Sequence, residues 1–90
     1  MEIVVNRCWG GFGLSEKACK ELGVESYYEV DRTNPKLIEM VKTWDPQDVN
    51  AWGSTLKVIE LPFKTSDWVI NDYDGMEIVY YVVDGKIYTA

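Results

Sequence analysis

Residues 2–15 read EIVVNRCWGGFGLS, and this stretch carries the strongest local signals in the chain. Its first part, residues 2–7, is rich in β-branched residues and predicts a strand. Ser15 has the side chain of a helix N-cap, and the negative charge of Glu16 suits the first turn of a helix. The stretch therefore predicts a strand that turns directly into a helix. Three glycines lie in that turn, at Gly10, Gly11 and Gly13.

Two helices are expected from their end signals. The first covers residues 15–22 and ends at Gly23, which suits the left-handed position after a helix. The second begins at Asn34, a capping residue, followed by Pro35, which is tolerated in the first turn, and Pro46 ends it. Its apolar residues recur with the spacing of one buried helix face, at Leu37, Met40, Val41 and Trp44.

The second half of the chain has the composition of strands separated by turns. Strands are expected over residues 55–61, 68–71, 76–83 and 87–89. A hairpin turn is expected at residues 72–75, and Asp84-Gly85 is a two-residue type I′ signal. Connecting segments are expected over residues 24–33 and 45–54, the second held in place by Val49 and Trp52.

The order of these elements predicts a single α+β domain over residues 1–90. In it, two helices pack on one face of a small, mainly antiparallel sheet of about five strands. Glu77 is the only charged residue within 76–83, and three apolar residues share its face of the strand, at Val79, Tyr81 and Val83. In a monomer, the solvent-facing side of a sheet carries more polar residues than this strand does. The pattern therefore predicts a homo-oligomer that buries the second face.

The composition argues against several classes of function. The formal net charge of −6 argues against binding to nucleic acid or to an anionic membrane surface, since both need an excess of Lys and Arg. The chain has no histidine, so the usual near-neutral general base is missing and catalysis is not expected. No apolar run is long enough to span a membrane, and the start of the chain lacks the pattern of a secretory signal.

The two cysteines, Cys8 and Cys19, fit neither a disulfide framework nor a zinc site. We expect reduced thiols in a cytoplasmic protein, with a single disulfide as the alternative. The acidic run from Asp72 to Glu77 has faint similarity to a calcium loop, but turn chemistry explains it better. No metal or cofactor is predicted.

The glycine turn matches neither of the two familiar phosphate-binding motifs. A P-loop needs a Gly-Lys-Ser/Thr ending, and here Leu14 precedes Ser15. The dinucleotide fingerprint needs a glycine where this chain has Glu16. An anion-binding nest remains, formed by the backbone N–H groups of residues 11–17 with the Ser15 hydroxyl. The alternative is a tight strand-to-helix turn in which the glycines only avoid steric clashes.

The residues that flank the glycines carry a cation and two aromatic rings. The Arg7 guanidinium can bind phosphate or carboxylate through two hydrogen bonds, and Trp9 and Phe12 can stack on a base. The alternative is that Arg7 pairs with Glu60 or Glu77 and that Trp9 lies in the core.

Residues 6–15 resemble the N-terminal motif of a family of small, mostly uncharacterised proteins encoded by tailed bacteriophages and prophages. Members open with a short strand followed by Asn-Arg-Cys-aromatic-Gly-Gly-Phe-Gly-Leu-Ser. The resemblance continues over residues 34–38, 56–62 and 68–75. Two features depart from the family: Trp9 stands where Phe or Tyr is usual, and the tail ends in an added Asp84-Gly85 hairpin. The resemblance implies a viral origin and a location in the host cytoplasm.

The leading hypothesis is a non-catalytic phage protein that sequesters a phosphorylated nucleotide immune signal, of the cyclic-nucleotide or ADP-ribose type, in the host. The expected ligand-binding residues are Arg7, Trp9, Gly10, Gly11, Phe12, Gly13 and Ser15. The main alternative is an inhibitor that binds a host protein through an exposed aromatic surface. An enzyme that uses carboxylates alone is a third, weaker hypothesis.

Overall fold

The structure, a computed structural model, describes residues 1–90 and contains five strands and three α-helices. The elements in chain order are β1 (Glu2–Asn6), α1 (Glu16–Leu22), α2 (Pro35–Thr43), α3 (Pro46–Val49), β2 (Leu56–Glu60), β3 (Asp67–Tyr73), β4 (Met76–Val83) and β5 (Lys86–Thr89). A single 3₁₀ turn, Tyr27–Glu29, lies between α1 and α2.

The strands form two antiparallel sheets. In the first sheet β1 pairs with β2, with Glu2 opposite Glu60 and Asn6 opposite Leu56. In the second sheet β4 lies between β3 and β5, so the last three strands form a meander. Its tight turns are Asp74-Gly75 and Asp84-Gly85, and all four residues have positive φ angles, as the type I′ prediction for Asp84-Gly85 requires of that turn.

The two sheets and the helices form three layers, with the β1–β2 sheet in the middle. On one side Val4 and Leu56 pack against the helices in the larger core cluster. On the other side Ile3 and Val5 pack against the meander through Val79. Because both faces of β1 are covered, every residue of this strand after Glu2 is buried.

The α+β class is therefore confirmed, and three details of the prediction are wrong. The strands form two sheets instead of one sheet of about five strands, and the helices number three instead of two. Pro46 follows the end of α2 but also begins α3, because Asp45 caps this short helix and proline is tolerated at its first position. Trp52, expected to pin the connector, is fully exposed, whereas Val49 is buried.

The helix ends agree with the sequence prediction. Asn34 accepts hydrogen bonds from the backbone N–H groups of Lys36 and Leu37, which caps α2. Gly23 ends α1 in the left-handed conformation, with φ 74°. None of the helices is long and apolar enough to cross a bilayer.

The apolar face of β4 that suggested self-association is covered within the chain. Glu77 and Val79 are buried, because the β1–β2 sheet packs on this side of the meander. The opposite face of the meander carries the partly exposed apolar side chains, among them Val69 and Ile87. A homo-oligomer stays a prediction, and the surface available for it is this outer face.

Candidate functional site

Ser15 is committed to the fold rather than free to bind a ligand. Its hydroxyl accepts a hydrogen bond from the N–H of Ala18 at 3.0 Å and donates one to the carbonyl of Asp48 at 2.6 Å. Its own N–H donates to the carbonyl of Val49 at 2.8 Å. Ser15 therefore caps α1 and joins it to α3, and it has no donor left for an anion.

We expect Ser15→Ala to lower the free energy of unfolding by about 1–2 kcal/mol, because it removes an N-cap and leaves the Asp48 carbonyl without its donor. Urea denaturation followed by tryptophan fluorescence measures the change. Thr43→Ala is the control, since that hydroxyl contacts only the carbonyl of Glu39 within its own exposed turn. Equal losses in the two variants would contradict the role given to Ser15.

The glycines of the turn allow close contacts between backbones. A Cβ atom on Gly10 would lie 1.7 Å from the carbonyl oxygen of Gly53, and one on Gly13 would lie 2.9 Å from the Cβ of Ala51. A Cβ on Gly75 would lie 2.2 Å from the carbonyl oxygen of Trp9. Gly11 meets no atom but has φ 87°. Steric demands therefore account for all three glycines of the turn.

The buried side chain of Asn6 ties this turn to two other segments. Its Nδ2 donates to the carbonyls of Cys8 and Gly75, both at 2.7 Å, and its Oδ1 accepts from the N–H of Thr55 at 2.8 Å. Its backbone N–H donates to Glu77 Oε1 at 2.7 Å. One amide side chain thus joins the glycine turn, the β3–β4 hairpin and the start of β2.

Cys8 is a free, half-buried thiol in the same network. Its Sγ lies 2.8 Å from the carbonyl oxygen of Gly53 and 3.2 Å from Oδ1 of Asn6. The pKa of Cys8 is lowered: burial alone raises it, but hydrogen bonds from the Gly10 backbone, Thr55 and Asn6 outweigh that effect. The thiol adds a further contact between the glycine turn and the turn at Gly53.

These joined turns carry three exposed aromatic side chains, which we call the aromatic tip: Trp9, Trp52 and Tyr73. The exposed fractions of Trp9 and Tyr73 are 59% and 65%, and Trp52 is fully exposed. The rings of Trp9 and Tyr73 meet edge to face with centroids 6.1 Å apart. The alternative interpretation, in which Trp9 lies in the core, is therefore wrong.

Phe12 points away from the aromatic tip, into a cleft built around an ion pair. The guanidinium of Arg32 lies 3.5 Å from the centre of the Phe12 ring and donates two hydrogen bonds of 2.7 Å to the carboxylate of Glu77. Arg32 also donates to the carbonyl of Val4 at 3.2 Å. The ring of Tyr27 contacts Phe12 edge to face at 5.9 Å.

Arg7 has neither of the partners that the sequence suggested. Arg32 takes Glu77, and the N-terminal amino group takes Glu60 at 3.2 Å. The Arg7 side chain forms no ion pair and no hydrogen bond within the chain, while its backbone N–H donates to the carbonyl of Thr55. It is a half-buried cation without a partner, beside the glycine turn.

The structure thus divides the predicted site. Trp9 lies on the aromatic tip and Phe12 lines the cleft, while Gly10, Gly13 and Ser15 serve packing and capping. Sequence reasoning missed Asn6 and Arg32 as organising residues. A signal existed for Arg32, because a buried Glu77 needs a cation, but the sequence does not say which one.

Comparison with known proteins identifies no relative of this chain. No family model, no curated protein and no solved structure matches the chain.

Proposed function

We propose that this protein is a non-enzymatic interaction module that binds another protein through the aromatic tip. The observation that carries the proposal is the exposure of Trp9, Trp52 and Tyr73 on turns that the fold holds rigidly together. Trp and Tyr are the side chains most enriched among residues that dominate the energy of protein interfaces.

The turns beneath the aromatic tip are pre-organised. The Asn6 amide, the Gly10–Gly53 contact and the Gly75–Trp9 contact each join two of them. Binding to rings that are already positioned loses less conformational entropy than binding to rings on mobile loops. A buried polar network that holds three exposed rings in place favours a role in recognition over a role in catalysis.

The charge of the chain indicates the character of the partner. Asp74 and the unpaired Arg7 lie near the tip, and the molecule as a whole carries a formal charge of −6. An acidic protein associates fastest with a basic surface, and exposed tryptophans fit apolar pockets. We propose a host protein with an apolar pocket in a basic surface, in keeping with the phage origin that the resemblance implies.

Capture of a phosphorylated nucleotide is the second candidate. Arg7 has no ionic partner, and the N–H groups of Gly11 and Phe12 have no acceptor within the chain. Arginine and backbone N–H groups are the donors that phosphate prefers. Ser15 is already hydrogen-bonded within the fold, and Arg32 is neutralised by Glu77. Fewer donors are therefore free to bind phosphate than the sequence suggested.

We expect the double variant Trp9→Ala, Trp52→Ala to reduce capture of a specific partner from host lysate at least tenfold, because it removes most of the ring surface of the tip. Phe63→Ala is the matched control. Phe63 is as exposed as Trp52 but follows Leu61, which pairs with Met1 at the opposite end of β1. Quantitative affinity capture with mass spectrometry measures both variants.

Equal loss in the tip variant and in Phe63→Ala would contradict the proposal.

Calorimetry against cyclic dinucleotides and ADP-ribose variants tests the second candidate. Tight binding of one of them, weakened by Arg7→Ala, would replace the interaction proposal with nucleotide capture.

A further inference from the structure

A cleft beside the aromatic tip has an unusual combination of charge and aromatic lining. Its volume is about 330 Å³, and it opens between the helical layer and the meander. The residues that matter for its chemistry are Phe12, Tyr27, Tyr28, Arg32, Asp72 and Glu77.

The cleft contains more negative than positive charge. Asp72 and Glu77 lie directly opposite each other on β3 and β4, so their side chains start from Cβ atoms only about 5 Å apart. Arg32 donates two hydrogen bonds to the carboxylate of Glu77 and none to Asp72. Asp72 forms no ion pair, and only its Oδ1 is occupied, by the N–H of Gly75 at 2.7 Å. The second carboxylate oxygen of Asp72, an exposed residue, therefore has no hydrogen-bond partner within the chain.

Aromatic rings form the other walls of the cleft. Tyr27 and Tyr28 lie with ring centroids 4.2 Å apart, and Tyr27 contacts Phe12. Hydrogen bonding between the two tyrosines raises the pKa of Tyr27, and desolvation raises it further, so the ring stays neutral. Arg32 already stacks on Phe12, which shows that this environment accepts a guanidinium.

We propose that the cleft binds one basic side chain, Arg or Lys, of the partner protein. Resting on the interaction function proposed above, this assignment names the chemistry that the partner presents next to the aromatic tip. The incoming cation pairs with the free oxygen of Asp72 and lies against the tyrosine rings. An anion is disfavoured here, because Glu77 already neutralises Arg32 and Asp72 repels a second negative charge.

The cleft and the tip are continuous through the chain. Asp72 precedes Tyr73, and Phe12 follows Trp9 by three positions. Asp72 and Tyr73 start on opposite faces of β3, so the cleft and the tip are neighbouring but separate surfaces of the molecule. The acidic balance of the whole molecule supports the same partner chemistry.

The test uses a small cation as the probe, so that it does not depend on finding the partner. We expect L-arginine amide to shift the amide resonances of Phe12 and Tyr27 in a saturable way. Asp72→Asn should weaken this binding at least tenfold. The Asn side chain keeps the Oδ1 atom that accepts from Gly75, so the hairpin turn is preserved.

Asp74→Asn is the matched control for charge. Asp74 lies outside the cleft in the left-handed conformation, which asparagine tolerates, and its loss changes the net charge by the same amount. This variant should bind the probe like the unmodified protein. Equal weakening by both variants would show a general charge effect and overturn the proposal, as would shifts caused by inorganic phosphate at the same residues.

The outcomes separate the cleft from the aromatic tip. The Trp9→Ala, Trp52→Ala variant should retain binding of L-arginine amide while losing its protein partner. Binding of the probe without any tip-dependent partner would refute the interaction function and leave the cleft as a binding site for a basic group of another origin. Absence of saturable shifts, with tip-dependent capture intact, would refute the cleft assignment alone.

Discussion

Replacing Arg32 by methionine should lower the free energy of unfolding by about 3–5 kcal/mol, because it leaves a buried carboxylate without its cation. The side chain of Glu77 is only 4% exposed, and both of its oxygens accept hydrogen bonds from Arg32. The same change also removes the cation from the face of Phe12 and a donor from the carbonyl of Val4. Chemical denaturation monitored by circular dichroism measures the loss.

Two further variants make this prediction specific. Lys36→Met removes a partner from an exposed ion pair, Lys36–Glu21 at 3.7 Å, and should cost less than about 1 kcal/mol. The double variant Arg32→Met, Glu77→Leu should lose less free energy of unfolding than its two single variants lose together, because no buried charge is left unpaired. Additive effects would show that the pair does not act as a unit.

Asn6→Ala should lower the free energy of unfolding by about 2–3 kcal/mol, since it leaves three part-buried backbone groups without partners at about 1 kcal/mol each. The affected groups are the carbonyls of Cys8 and Gly75 and the N–H of Thr55. The variant should also weaken the interaction of the aromatic tip with its partner, because the turns that carry the rings are no longer joined. Denaturation and affinity capture measure the two effects.

Asn6→Asp removes only the donor half of this network and adds a charge. The aspartate keeps the oxygen that accepts from Thr55 but loses the donor to Cys8 and Gly75. Its charge also lies near Glu77, so we expect a loss comparable to that of the alanine variant. A variant at Asn6 as stable as the unmodified protein would contradict the central role assigned to this side chain.

Local signals in the sequence were sufficient for most of the secondary structure. Asn34 with Pro35 begins α2, Gly23 ends α1, and Asp84-Gly85 forms a two-residue turn, as predicted. Each of these features depends on backbone conformations that one or two neighbouring residues favour. As a stop signal, Pro46 predicts only the end of α2, so the short helix α3 is not predicted.

The arrangement of sheets was not predictable in the same way. The sequence 76–83 shows an apolar face but not what covers it, and both a second subunit and the β1–β2 sheet satisfy that requirement. The burial of β1 on both faces explains its continuous run of Ile3, Val4 and Val5. In retrospect this run indicated a central layer, since a strand at a surface alternates apolar with polar residues.

The candidate site shows most clearly the difference between features set by local sequence and features set by tertiary contacts. The sequence by itself determined that residues 10–13 form a glycine turn between a strand and a helix capped by Ser15, because glycine freedom and capping act over a few bonds. Only the tertiary structure decided that these glycines pack against Gly53 and Gly75, and that Arg32 instead of Arg7 pairs with Glu77. Those contacts join residues far apart in the chain, and their partners are selected by packing and by the cost of burying charge, which no local pattern records.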